Sequence, residues 1–214
     1  TIKYEKDGIK IVVSPSFEHG LPSIFDKDIL LYCSSLVAEE VNKLYLNMEQ
    51  AVEQNRSKEK ERLQAENLLN DDAIEDYLAK WEQSYRNEYV QKNSVPRTLR
   101  FSCRDLLLTT NRKTNGQAYE HLKQSFERLK GCSITTNIKT NDIKEAAGFG
   151  LIEDWHIIEK SHDNSRMVKI EVTLSYWYYR AILGQEVLTI NPDYFRLRKP
   201  TERRLYEIAR KHCG

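Results

Sequence analysis

The chain has 214 residues, 40% hydrophobic and 30% charged, and its 33 Lys and Arg nearly cancel its 32 Asp and Glu to leave a net charge of +1. That balance fits one or two globular domains with a packed core. It excludes a membrane protein built on apolar helices, since no run nears the roughly 18 apolar residues of a span, and the first residues carry no signal-peptide pattern.

Thr1 in place of Met, and a last helical pattern that runs to the end, predict a fragment of a longer natural protein. Cys33, Cys103, Cys132 and Cys213 have no metal-ligand spacing, and the first three lie in or beside apolar segments. Reduced, buried thiols of a cytoplasmic protein are expected. His212 beside Cys213 lacks further ligands, so no metal site is expected there.

Ile9 to Val13 is β-prone, and Ser14, Pro15, Gly20 and Pro22 then interrupt the chain. A helix is predicted from Asp26, whose side chain can cap it. Ile29, Leu30, Cys33, Leu36, Val37, Val41 and Leu44 follow at helical steps and mark its core face. Residues 39–92 then carry thirteen acidic side chains against eight basic ones, with no Gly or Pro. This stretch, about −5, reads as a helical insertion over about 39–95, broken near Asn70. Ile74, Tyr77, Leu78, Trp81, Tyr85 and Tyr89 line one side of its second helix. The insertion reads as a charged hairpin on the domain or as a protein-contact arm.

Arg97 to Gly131 is the most informative stretch. Thr98 to Phe101 alternates as a strand. Ser102 ahead of Asp105, and Thr114 ahead of Gln117, are capping-box signatures for two helices joined by the polar turn Asn111 to Asn115. Eight basic residues oppose three acidic ones, leaving about +5 on one small unit. Strands are predicted over Ser133 to Lys139, Gly150 to Glu159 and Met167 to Leu174, forming one curled sheet with a turn over Ser161 to Ser165. A short aromatic helix over Tyr176 to Leu183, a strand over Val187 to Ile190 and a basic helix from Pro200 complete the chain. The fold expected is α+β: a winged helix, meaning a helix-turn-helix plus antiparallel wing, with a helical insertion.

No phosphate loop, nucleophile elbow or zinc-protease motif is present. The five histidines form no metal cluster, and Glu153 and Asp154 are strand neighbours that point to opposite faces. No catalytic residues, no metal and no cofactor are expected, and the protein is read as no enzyme.

Nucleic-acid binding has a mechanism. If Ala118, Leu122, Phe126 and Leu129 face the core, the second helix turns Gln117, His121, Gln124 and Arg128 outward. Gln and Arg can pair bidentately with base edges. The backbone N–H groups near Asn115 suit a phosphate. Gln117, His121 and Gln124 are the candidate base readers. Arg97, Arg100, Arg112, Lys113, Lys123, Arg128 and Lys130 are the candidate phosphate contacts. Arg203 and Arg204 add a second basic group on the last helix. Tyr178 and Tyr179 could stack on bases, but core packing is the favoured reading.

The blocks LPSIFDKDILLYCSS, RTLRFSCRDLLLTTNRKTNGQAYEHLKQSFERLKGCSITTNI, GFGLIEDWHII, VTLSYWYYRAIL and VLTINPDYFRLRKPTERRLYEIARKHCG resemble bacterial plasmid replication initiators of the replication initiator protein A family. The resemblance implies two tandem winged-helix domains that bind repeats at a plasmid origin as duplex DNA. It also implies a homodimer form and contacts with host replication proteins. Residues 1–200 would then be the first domain, and 201–214 a basic helix leading to a second domain not included. Tyr206 and Glu207 fit the Leu-Tyr-Glu pattern of that helix. The competing readings are a dimerisation domain, using the sheet after Ser133 or the helices around Trp81 and Tyr85, and a transcriptional repressor.

Overall fold

Asp7 and Gly8 decide how the chain begins. Both have positive φ, 51° and 79°, as the two-residue turn favoured in hairpins requires and as Asp-Gly readily supplies. They join β1 (Ile2–Lys6) to β2 (Ile9–Ser14) in an antiparallel pair. Residues 1–66, 70–137, 139–140, 143–144, 147–159, 167–184 and 190–213 are described by this computed structural model.

The remaining elements are α1 (Lys27–Glu66), α2 (Asp71–Lys92), β3 (Thr98–Ser102), α3 (Cys103–Thr109), α4 (Gly116–Gly131), β4 (Ser133–Thr136), β5 (Lys139–Thr140), β6 (Ile143–Lys144), β7 (Ala147–Phe149), β8 (Ile152–Glu159), β9 (Met167–Leu174), α5 (Tyr176–Leu183) and α6 (Pro200–His212). A short 3-10 helix over Pro192–Arg196 precedes α6. The fold is α+β with antiparallel sheets. Of the predicted strand Val187 to Ile190, residues 187–189 lie outside the described residues, as does the turn Ser161 to Ser165.

Two compact units divide the chain. The first holds residues 1–36 and 97–214, the second Val37–Pro96. In the first, strands run β1-β2-β4-β7 in one sheet and β3-β9-β8 in another. This corrects the expectation of a single curled sheet. β4 pairs with β2 and β7 rather than with β8: the β-prone run from Ile9 forms β2 and takes the place beside β4, and the Asp7-Gly8 turn, unread in the sequence, adds β1 outside it.

The core of the first unit follows from two periodicities. On β9, Ile170, Val172 and Leu174 alternate inward; on β3, Leu99 and Phe101 do the same, with Arg100 pointing out. On α4, Leu122, Phe126 and Leu129 return every three or four residues and are fully buried. Burying each such side chain is worth roughly 1.5–3 kcal/mol. Phe126 stacks on Trp155 at 5.4 Å between ring centroids, and Tyr32 meets Phe101 edge-on at 5.1 Å. Tyr178 donates into this core rather than lying free: its OH lies 2.8 Å from Ser34 Oγ and 3.4 Å from the Leu30 carbonyl. Burial pushes its phenol up to about 12. Cys33, Cys103 and Cys132 are buried and in no disulfide, while Cys213 is exposed.

Gly131 closes α4 where the chain crosses Ser16. A Cβ placed there would sit 2.6 Å from Ser16 Cβ and 2.7 Å from its Oγ. Gly131→Ala is therefore expected to cost about 1–3 kcal/mol through overpacking, read as a lower urea midpoint at unchanged slope.

In the second unit, Met48, Val52, Leu63, Ile74, Leu78 and Val95 are buried. Asn70 caps α2 by accepting from Ala73 N–H at 2.9 Å. Arg56 binds Glu82 at 2.7 Å and Glu75 at 2.5 Å, and Arg86 binds Glu49 and Glu82 at 3.0 Å. Trp81 and Tyr85 stack at 5.0 Å. Ion pairs among Arg56, Lys60, Arg86, Glu49, Glu75 and Glu82 thus tie α1 to α2, while Lys43–Glu40, Arg62–Glu59 and Lys92–Glu88 pair within one helix.

Candidate nucleic-acid interface

α3 starts on Ser102, whose Oγ accepts from the N–H groups of Arg104 and Asp105. It ends in a tight αL turn. Asn111 has φ 54°, its N–H donates to the Leu108 carbonyl at 3.0 Å, and the Arg112 N–H donates to the Leu107 carbonyl at 2.7 Å. That is the double closure of a Schellman motif, with Asn in the position usually held by Gly. α4 is then capped by Asn115, whose Oδ1 accepts from Ala118 N–H at 3.0 Å. The cap falls one residue later than the expected Thr114.

These two closures set what α4 shows to solvent. Gln117, His121 and Gln124 are exposed, and Ser125 joins Leu122, Phe126 and Leu129 on the inner face. Arg112, Lys113, Asn115, Gln117, His121 and Arg128 line one open cleft of about 490 Å³, walled on the other side by Ser23, Phe25 and Asp26. Six of the thirteen candidate residues therefore meet at one place.

The others lie apart. Arg97 pairs with Glu153 at 2.6 Å and Arg100 with Glu171 at 2.5 Å, both on the sheet of β3. Lys123 lies 3.7 Å from Glu120, and Lys130 pairs with Asp154 at 2.8 Å. Glu153 and Asp154 thus serve separate ion pairs. Arg204 binds Glu207 at 3.3 Å beside a second cleft of about 460 Å³, lined also by Lys27, Leu30 and Tyr178.

Three arginines turn inward. Arg128 grips Asp26 with two parallel hydrogen bonds, Nε to Oδ2 at 2.7 Å and Nη2 to Oδ1 at 2.8 Å. Arg112 Nη2 reaches Asp28 Oδ2 at 3.1 Å and also donates to the Phe25 carbonyl. Arg203 Nη1 donates to Asp28 Oδ1 at 2.5 Å and its Nε to the Leu197 carbonyl at 2.8 Å. The Arg203 guanidinium lies between the rings of Phe25 and Tyr194, at 4.7 and 5.0 Å. At 2% exposure Arg203 has no surface for a phosphate, so its reading as a DNA contact is corrected. Arg112 and Arg128 keep an edge in the cleft, each with a side chain 21% exposed.

The reason is the pair of carboxylates that receive them. Asp26 and Asp28 are 1% and 0% exposed, and a buried carboxylate is tolerated only when paired and hydrogen-bonded. Asp26 does not cap α1 as expected. Its Oδ2 accepts from Ser23 N–H at 2.6 Å while Ser23 Oγ accepts from Asp26 N–H at 3.3 Å. Burial alone would raise the Asp26 carboxyl, but hydrogen bonds from Arg128, Ser125 and the Ser23 N–H, with the Arg128 charge, outweigh it and hold it below the usual range. The signal was present in the sequence as two aspartates spaced i, i+2 at the head of an apolar helix. Their partners, far along the chain, were not legible.

The model of the replication initiator protein A family matches residues 1–70 and 76–214. The chain therefore belongs to the replication initiator protein A family. It is 32% identical over 212 residues to a protein of Wigglesworthia glossinidia brevipalpis named "Putative replication protein", covering 99% of this chain and 60% of that relative's length. Among solved structures, a crystal structure of domains 2 and 3 of RctB resembles it with a TM-score of 0.58 at 9% identity, over 100% of this chain and 66% of that one. A second crystal structure of RctB domains 2–3 gives 0.51 over 92% of this chain and 58% of the other, again at 9% identity. These similarities are of fold. Among the described residues no helix is long and apolar enough to cross a membrane.

Proposed function

We propose that the chain is the DNA-binding and dimer-forming part of a plasmid replication initiator, acting in the cytoplasm without catalysis or cofactor. In this reading α3 and α4 are a helix-turn-helix, β3, β9 and β8 are the sheet of a winged helix, and the β8–β9 hairpin is its wing. α4 lies in the major groove of origin repeats. Gln117, His121 and Gln124 face base edges, as recognition-helix side chains do. Lys113, in the turn just before α4, and the backbone N–H groups around Asn115 hold a phosphate. Arg112 and Arg128 add field at the cleft while holding it in shape. Host replication proteins are the further partners of the whole initiator.

The observation that carries this is the division of α4: three apolar residues buried on one face, and two glutamines and a histidine exposed on the other beside a basic turn. The test is binding of the chain to duplex from its own plasmid origin, titrated over salt, with random duplex as control. Origin preference with a steep linear fall of log affinity against log salt is expected. No binding at low salt would remove DNA reading from this part of the protein.

A further inference from the structure

β1 is an edge strand with no partner on its outer side among the described residues. Its backbone polarity can be assigned. Lys10, opposite Glu5 in the β1–β2 register, directs its own N–H and C=O away from β1, to Asn137, at 2.6 and 3.3 Å. In an antiparallel ladder, residues opposite one another either exchange both hydrogen bonds or neither. The N–H and C=O of Glu5 therefore point to the open edge, and those of Lys3, two residues back, do the same. An unpaired edge of this kind is a template for another strand.

The side chains say which strand. On one face of the sheet Ile2 and Tyr4 are 56% and 52% exposed. Across from them on β2 stand Val13 and Ile11, then Ile134 on β4 and Phe149 on β7. The opposite face of β1 carries Lys3 and Glu5, with Glu5 3.3 Å from Lys10.

We propose that β1 pairs antiparallel with β1 of a second copy, centred on Tyr4, to make one continuous sheet across a twofold axis. This is the only register within reach that places opposite charges together. Pairing centred on Lys3 or Glu5 sets like charges opposite one another, which destabilises a strand pair. Centring on Tyr4 sets Lys3 against the second copy's Glu5 twice. It makes both of those pairs hydrogen-bonded and brings the two Tyr4 rings together as a close, non-hydrogen-bonded pair. On that face the two Tyr4 rings meet at the axis, and each Ile2 packs along the aliphatic stem of the second copy's Lys6, which stands opposite it in this register. The proposal rests on the homodimer reading above and assigns its contact to β1, not to the sheet after Ser133 or the helices around Trp81.

Charge reversal tests it, using sedimentation equilibrium of the whole chain without DNA. Lys3→Glu or Glu5→Lys alone is expected to weaken the dimer by about tenfold or more, since both symmetric pairs become repulsive. The double variant K3E/E5K, and an equimolar mixture of the two single variants, should dimerise as the parent does. Circular dichroism matching the parent would confirm that these exposed changes leave the fold intact. A parent that stays monomeric at every concentration, or single variants that dimerise as well as the parent, would overturn the assignment. Either result would leave DNA reading by α4 standing, because DNA is absent from the measurement.

Discussion

Replacing Asp28 with alanine is expected to destabilise the first unit by about 3–5 kcal/mol, the usual cost of removing one partner from a buried ion pair. Two guanidiniums converge on this carboxylate, Arg112 at 3.1 Å and Arg203 at 2.5 Å. Arg203 cannot turn to solvent: its side chain is 3% exposed and enclosed by Phe25 and Tyr194. The loss would release three segments at once, the head of α1, the turn before α4 and the start of α6. Hydrogen exchange should therefore quicken in all three, and urea unfolding should give the magnitude. Because the penalty is an uncompensated charge rather than a lost contact, adding Arg203→Met to Asp28→Ala should recover a measurable part of it. A double variant no more stable than Asp28→Ala would show that the carboxylate's charge is not what matters.

The neighbouring pair adds a pH dependence. The folded Asp26 carboxyl sits below its unfolded value, which is about 3.9. Its contribution is thus complete above the unfolded value and is lost as pH falls through the folded one. Stability should drop on acidification below about pH 4, and Asp26→Asn should flatten that part of the profile while lowering stability at neutral pH.

The second large effect is on DNA binding. Lys113→Ala should weaken binding to every duplex alike and reduce the salt slope by about 1, as loss of one phosphate contact does. Gln117→Ala should instead lower affinity for the origin repeat by about 1–3 kcal/mol, with little change on random duplex. Both residues are exposed in the cleft at the start of α4, so neither change should move the urea midpoint. Lys92→Ala, on the surface of α2, serves as control and should change nothing. Equal losses for Gln117→Ala on origin and random duplex would remove it from base reading. Arg128→Ala differs from both: its loss of affinity should come with a loss of stability, since it would strand Asp26.

Some of this was written locally. Leu122, Phe126 and Leu129 mark α4 at helical steps, Leu99 and Phe101 mark β3 at strand steps, and Ser102 and Asn70 mark helix starts through caps that reach only two or three residues. Such signals depend on neighbours in the chain, so the order strand, helix, turn, helix, strand pair, and the exposed Gln117, His121 and Gln124, were readable in the residues. The Asp7-Gly8 hairpin was equally local and went unread, and with it β1; Ile9 to Val13 was legible as a β-prone run, but its pairing with β4, over 120 residues on, was not. The fate of the arginines was of another kind. Arg112, Arg128 and Arg203 look in the sequence like any surface cation, and counting them gave a basic patch. Whether a guanidinium meets a phosphate or a buried aspartate depends on what lies opposite it in space. For Arg203 that partner is 175 residues away, at a distance where periodicity and capping carry no information. Only packing the head of α1 between α4 and α6 brings two carboxylates out of water, and their desolvation then claims the three arginines.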